Sequence, residues 1–163
     1  VQQWFKRGRE IVFFESKWHQ DESYDDKYTR LSNCINGLSS DNIYIVGISA
    51  GGSLAVRLID DGYATYAYII SGALKGAETI GLSFKNRAPA LYESIKTSED
   101  IVDSQTLDPK LFTIYRPVFD GIIRIKGMII PGATERLIPA IGHPFGIGIA
   151  LLLYFPRIIR RKL

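Results

Sequence analysis

The sequence predicts an α/β fold, a mostly parallel sheet flanked by helices, and three observations carry that prediction. Short runs rich in β-branched and aromatic residues alternate with stretches of helical periodicity. One such run, IYIVGI, passes into a helical stretch with no loop between them. The 163 residues, 46% hydrophobic and 23% charged, suffice for one well-buried core. Strands that alternate with helices pair in parallel through right-handed crossovers. No internal repeat or low-complexity linker interrupts the chain, so residues 1–163 are expected to form a single domain.

The first strand is expected at residues 11–15 (IVFFE). After the polar turn SKWHQDE, residues 24–38 place Tyr24, Tyr28, Leu31, Ile35 and Leu38 on one face, the spacing of an amphipathic helix. Ser39, Ser40 and Asp41 end it. Residues 42–48 (NIYIVGI) read as the second strand and SAGGSLAVRLID as the helix that follows at once. A third strand is expected at 66–71 (YAYIIS). Residues 72–110 exceed the usual connection length, and are expected to hold one or two short helices as a small cap or lateral insertion. Strands at 111–115 and 136–141 complete the pattern. The thirteen apolar residues 144–156 (PFGIGIALLLYFP) fall short of the roughly 20 that cross a bilayer as a helix, and read as a buried element.

Composition excludes several function classes. Lys and Arg total 20 against 17 Asp and Glu, but four of the cations fall in the last seven residues, RIIRRKL, leaving sixteen against seventeen elsewhere. The isoelectric point near 9.0 therefore describes a tail. That tail is expected to be a solvated helix end where cations are favourable, with contact to an anionic membrane surface as the alternative. No basic stripe interleaved with aromatics crosses the body, which argues against a nucleic-acid partner. Cys34 is the one cysteine and there are two histidines, so neither a disulfide framework nor a Cys/His zinc cluster can be built. The opening VQQWFKRGRE lacks a secretory pattern, so a cytoplasmic setting without stable membrane insertion is expected. Val1 in place of Met leaves open that the chain was cut from a longer one.

Ligands of such sheets bind at the carboxyl ends of the strands, so the residues that follow each strand are the ones to test. After the second comes Gly47-Ile48-Ser49-Ala50-Gly51, a G-x-S-x-G. A strand that turns directly into a helix strains the corner residue and crowds the positions two away on either side, which glycine at both is expected to relieve. The hydroxyl of Ser49 would then stand above the sheet, with the Ala50 N–H directed where an oxyanion forms. The alternative reading is a glycine-rich turn with a capping serine. After the fourth strand comes Asp120, before Gly121, which reads alone as a turn aspartate. After the fifth comes His143, which reads alone as a solvated loop histidine. Together they offer a serine, a carboxylate and an imidazole past successive strand ends. A hydroxyl is inert until an imidazole takes its proton and a carboxylate fixes the tautomer.

The segments IYIVGISAGGSLA, RPVFDGIIRI and LIPAIGHPFGI resemble the nucleophile elbow, acid turn and histidine loop of the α/β-hydrolase superfamily, from about Ile11 onward. The resemblance implies Ser49 as nucleophile, Asp120 as acid and His143 as base, with no metal or cofactor. Many relatives carry Val-Pro three residues after the acid; here Gly121-Ile122-Ile123-Arg124 lacks the proline, and Asp103 and Asp108 stand as fallbacks. The resemblance also implies an earlier strand, before IVFFE in the chain and between it and IYIVGI in the sheet, whose exit loop donates a second oxyanion N–H, yet only Val1 to Arg9 precede IVFFE. Either the chain is the remainder of a longer protein, or the two strands pair directly and the donor comes from elsewhere, the turn 16–20 being one source. In that turn Trp18 and His19 are candidates for substrate contact, with cover of the sheet edge as the other reading. The expected function is a carboxylesterase- or lipase-like serine hydrolase of a small acyl substrate. The alternatives are a catalytically silent binding domain, and a thioesterase, peptidase or acyltransferase using the same residues.

Overall fold

An antiparallel hairpin, β1 (Gln2–Lys6) and β2 (Arg9–Phe13), opens the chain and forms a sheet of its own. The computed structural model describes residues 2–6, 9–18, 21–80 and 82–160. Only two residues separate β1 from β2, a connection that suits antiparallel pairing and is too short for a parallel crossover. This corrects the expectation for IVFFE: it contributes to a two-stranded sheet, not to the sheet that carries the site.

The main sheet has four strands, β3 (Tyr44–Ile48), β4 (Tyr66–Ile70), β5 (Phe112–Phe119) and β6 (Thr134–Ile141), parallel throughout and in the spatial order β3-β4-β5-β6. The strand that leads to Ser49, β3, is therefore an edge among the described residues. β5 runs four residues past its expected end, and Pro117, which cannot donate to a ladder, sits there at a register irregularity between Pro117 and Phe119. The strand thus delivers Asp120 directly at its end.

Helices cover both faces. On one lie α1 (Tyr24–Asn36), α2 (Gly51–Asp60) and α4 (Pro89–Asp103), with the short α3 (Leu82–Arg87) leading into α4. Ser23 caps α1 by accepting from the Asp26 N–H at 3.1 Å, and Tyr24, Tyr28, Leu31 and Ile35 bury the expected face. They pack with Leu54, Leu58, Val102 and the inward residues Ala67, Ile69, Phe112 and Ile114 of β4 and β5. The alternate residues Tyr68, Ile70 and Tyr115 face the opposite layer with Ile138, Ala150 and Ile158. That layer is a continuous C-terminal helix: α5 (His143–Ile149), a π-turn (Ala150–Tyr154) and α6 (Phe155–Arg160).

Two expectations change here. Residues 72–110 were expected to hold only short helices, yet α4 is 15 residues long, packs on α2, and carries the chain from β4 back to β5. Its buried stripe includes Ser94 and Ser98, and a buried hydrogen bond of 2.7 Å joins Ser53 of α2 to Ser94. The segment 144–156, expected to be buried, exposes Phe145 and Leu151 to Leu153 to solvent. No helix among the described residues is long and apolar enough to cross a membrane.

Candidate active site

Ser49 occupies the corner between β3 and α2 with φ of +52°, a left-handed conformation that a side-chain-bearing residue adopts only where its surroundings enforce it. The enforcement is visible in the backbone. The Ser49 N–H donates to the Ile70 carbonyl at 2.9 Å, and the Ser49 carbonyl accepts from the Gly52 and Ala73 N–H groups, both at 3.0 Å. The corner is thus locked to its own helix and to the turn that leaves β4.

Glycine is needed at two places around this corner, and one of them differs from the expectation. A β-carbon at Gly47 would lie 2.6 Å from the Gly51 carbonyl oxygen and 2.9 Å from the Gly52 α-carbon, as anticipated. At Gly51 it would meet nothing within 4 Å, so the second glycine of the pentapeptide relieves no contact outside its own helix. The crowded position is Gly52, where a β-carbon would come within 2.9 Å of the Gly72 α-carbon. The turn 71–73 after β4 therefore belongs to the site. Gly52 and Gly72 were its only sequence signal, two glycines just past neighbouring strands. Gly47→Ala is expected to destabilise the fold by about 1–3 kcal/mol, because backbone must move to admit the methyl group, whereas Gly51→Ala leaves stability nearly unchanged; denaturant titration of both variants checks this.

His143 enters from the far edge of the sheet. Gly142, at φ +92°, makes the sharp passage from β6 into α5, and its N–H donates to the Phe119 carbonyl at 2.8 Å. Pro144 stands in the first turn of α5, where a missing N–H costs nothing. The helix seats closely on the sheet because Gly146, one turn on, has no side chain: a β-carbon there would lie 3.1 Å from Pro117. The imidazole is buried, with Nε2 2.8 Å from the Ser49 hydroxyl and Nδ1 2.6 Å from Oδ2 of Asp120.

Asp120, also buried, uses its other oxygen for its own turn: Oδ1 accepts from the N–H groups of Ile122 and Ile123, each at 2.9 Å. The carboxylate thus makes the bonds of a turn aspartate with Oδ1 and faces His143 with Oδ2. Hydrogen bonds to the turn hold the carboxylate so that Oδ2 faces the imidazole. An ionised carboxylate only accepts, so it fixes the proton on Nδ1 and leaves the Nε2 lone pair for the Ser49 O–H. The fallback acids lie elsewhere: Asp103 pairs with Lys75 at the end of α4, and Asp108 accepts from the Lys110 N–H at 2.9 Å.

Ala50 is the residue before α2, at the end of the helix where the first N–H groups have no intrahelical acceptor. Trp18 is half-buried and packs against two core clusters, one of which Ala50 also adjoins. His19 lies outside the described residues. The loop that carries Trp18 is strapped to α1. The fully buried Lys27 donates to the Lys17 carbonyl at 3.0 Å and to Glu22 at 3.1 Å, and Arg30 grips both Glu22 oxygens at 3.0 and 2.9 Å. The Arg30 guanidinium, assisted by Lys27, holds the Glu22 carboxyl down at about 2. Sequence reasoning did not find this strap, whose members lie five and eight residues apart across a loop and a helix.

No family model matches the chain, and no curated protein matches it in sequence. Its fold does match solved structures. With the capsule O-acetyltransferase of Neisseria meningitidis serogroup A it superposes with a TM-score of 0.59 at 19% identity, over 86% of this chain and 67% of the other. With the meta-cleavage product hydrolase CumD of Pseudomonas fluorescens the values are 0.57 and 15%, over 91% and 74%. With the N-acyl homoserine lactonase AidH they are 0.55 and 13%, over 91% and 73%. At such identities the likeness speaks for architecture alone. A parallel sheet, helices on both faces and these superpositions together give the chain an α/β-hydrolase fold.

Proposed function

We propose that the protein is a serine hydrolase that cleaves an ester or related acyl bond through an acyl-enzyme, with Ser49, His143 and Asp120 as its triad. The observation that carries this reading is the unbroken hydrogen-bonded chain from the Ser49 hydroxyl through His143 to Asp120. In this scheme the Nε2 lone pair takes the Ser49 proton as the hydroxyl oxygen attacks the acyl carbon. Asp120 keeps the imidazole oriented and supports its positive charge, and the Ala50 N–H stabilises the oxyanion at the helix N-terminus. The imidazolium then protonates the leaving group. Water, activated by the same nitrogen, releases the acid and regenerates Ser49. No step uses a metal or cofactor.

Trp18, on the loop strapped by Lys27 and Arg30, is proposed with His19 to contact the substrate, and the segment 72–110 outside α4 is proposed as a small cap. Both favour a modest acyl substrate in a carboxylesterase- or lipase-like reaction. The same acyl-enzyme would pass its acyl group to an alcohol in an acyltransferase. Turnover of p-nitrophenyl esters graded in chain length tests the proposal: the reading predicts saturable release of p-nitrophenol that falls off beyond short chains and is lost in Ser49→Ala. Equal release by the wild type and Ser49→Ala would exclude it. Added alcohols that raise p-nitrophenol release and yield the transesterified product would favour the transferase.

A further inference from the structure

Apart from Phe13 on the hairpin, the large apolar side chains that the fold leaves in solvent belong to β5, β6, the turn between them and the C-terminal helix. Ile141 is 74%, Phe145 72% and Leu152 76% exposed, and Ile122 of the acid turn is 70% exposed. An open groove of about 570 Å³ between the ends of β5 and β6 and the start of α5 joins the first two of these through Val118, Pro139 and Ile149. Along the C-terminal helix the exposed apolar side chains are Phe145 at its start and Leu151, Leu152 and Leu153 in its π-turn, with the half-buried Ile149 between them. An exposed apolar stripe along a helix is a surface that expects a partner.

The charge of the segment that carries it points to the partner. Residues 136–163 hold Arg136, Arg157, Arg160, Arg161 and Lys162 and no Asp or Glu. Arg157 is exposed on α6, just beyond the apolar stripe. An apolar helix face followed by a cluster of cations, free of acids, complements a surface that is apolar beneath and anionic on top. We propose that the C-terminal helix, with Ile141 and Phe145 at its start, docks the protein on an anionic lipid surface, lying in the interface without crossing it.

Flotation of the full chain with vesicles of phosphatidylcholine alone, and of equal parts phosphatidylcholine and phosphatidylglycerol, tests this directly. The protein is expected to float with the anionic vesicles at least ~10-fold more tightly than with the neutral ones, at about fivefold per cation engaged, and to be released by high salt. The double variant Phe145→Ser, Leu152→Ser, whose altered side chains are solvent-exposed, is expected to lose at least ~10-fold in binding with an unchanged circular dichroism spectrum. Should that variant misfold, Arg157→Glu supplies the second arm, with an expected loss of fivefold or more. Failure to float with anionic vesicles, equal binding to neutral ones, or binding indifferent to all three substitutions would overturn the proposal. So would a stable dimer that these substitutions dissociate, since a second copy would then cover the stripe. None of these outcomes depends on the chemistry at Ser49.

Discussion

Replacing His143 with alanine is expected to lower ester turnover by at least ~10³-fold while shifting the melting temperature by no more than about 2–4 °C. The large effect follows from the hydrogen-bonded order of the site. Without the imidazole, Ser49 has no acceptor for its proton at 2.8 Å, and the leaving group has no donor. The small effect follows from Asp120, whose buried carboxylate retains the Ile122 and Ile123 N–H groups when His143 is gone. Oδ2, which loses its partner, is left facing the space that the imidazole vacates, and water entering that space takes over its hydrogen bond. Steady-state kinetics and thermal denaturation of the same preparation check both halves. A collapse of stability together with activity would instead make His143 a structural residue.

Asp120→Asn should be almost as severe, a loss of about 10³–10⁴ in kcat, with the fold intact. Asparagine is isosteric, and its carbonyl oxygen can take over the two N–H bonds of the turn. Its amide then presents donors to Nδ1, and the imidazole must move its proton to Nε2, where it blocks acceptance from Ser49. The loss is therefore one of tautomer, which separates it from a packing defect: Asp120→Ala, which also removes the turn bonds, should lose stability as well. A loss below tenfold in Asp120→Asn would assign the acid to another group, and neither Asp103, paired with Lys75, nor Asp108, turned to its own backbone, is placed for that role.

The parts of this architecture that were legible in the sequence are those set by local geometry. A strand running straight into a helix announces the corner at Ser49, and the face shared by Tyr24, Tyr28, Leu31 and Ile35 announces α1, because each signal lies within a dozen residues. What stayed hidden depends on contacts between distant segments. The stripe of α4 is interrupted by Ser94 and Ser98, so its periodicity is faint, and Ser94 is tolerated there only because Ser53 of another helix meets it. Likewise Gly52 looks dispensable beside Gly51 until the Gly72 backbone is brought against it. The apolar run 144–156 matches a buried helix in composition, yet burial requires a layer to cover it, and periodicity does not reveal whether one exists. The hairpin of IVFFE is a similar case: its strand character was readable and its partner was not.

The central claim is that Ser49 is an activated nucleophile, and covalent capture measures it most directly. A fluorophosphonate reacts with a serine whose proton an imidazole removes and leaves ordinary hydroxyls untouched. Mass spectrometry of the digested wild-type protein should place a single phosphonyl group on Ser49, formed at least ~10³-fold faster than in His143→Ala. A folded protein that takes up no label, or that takes it up elsewhere at the same rate with and without His143, would contradict the account.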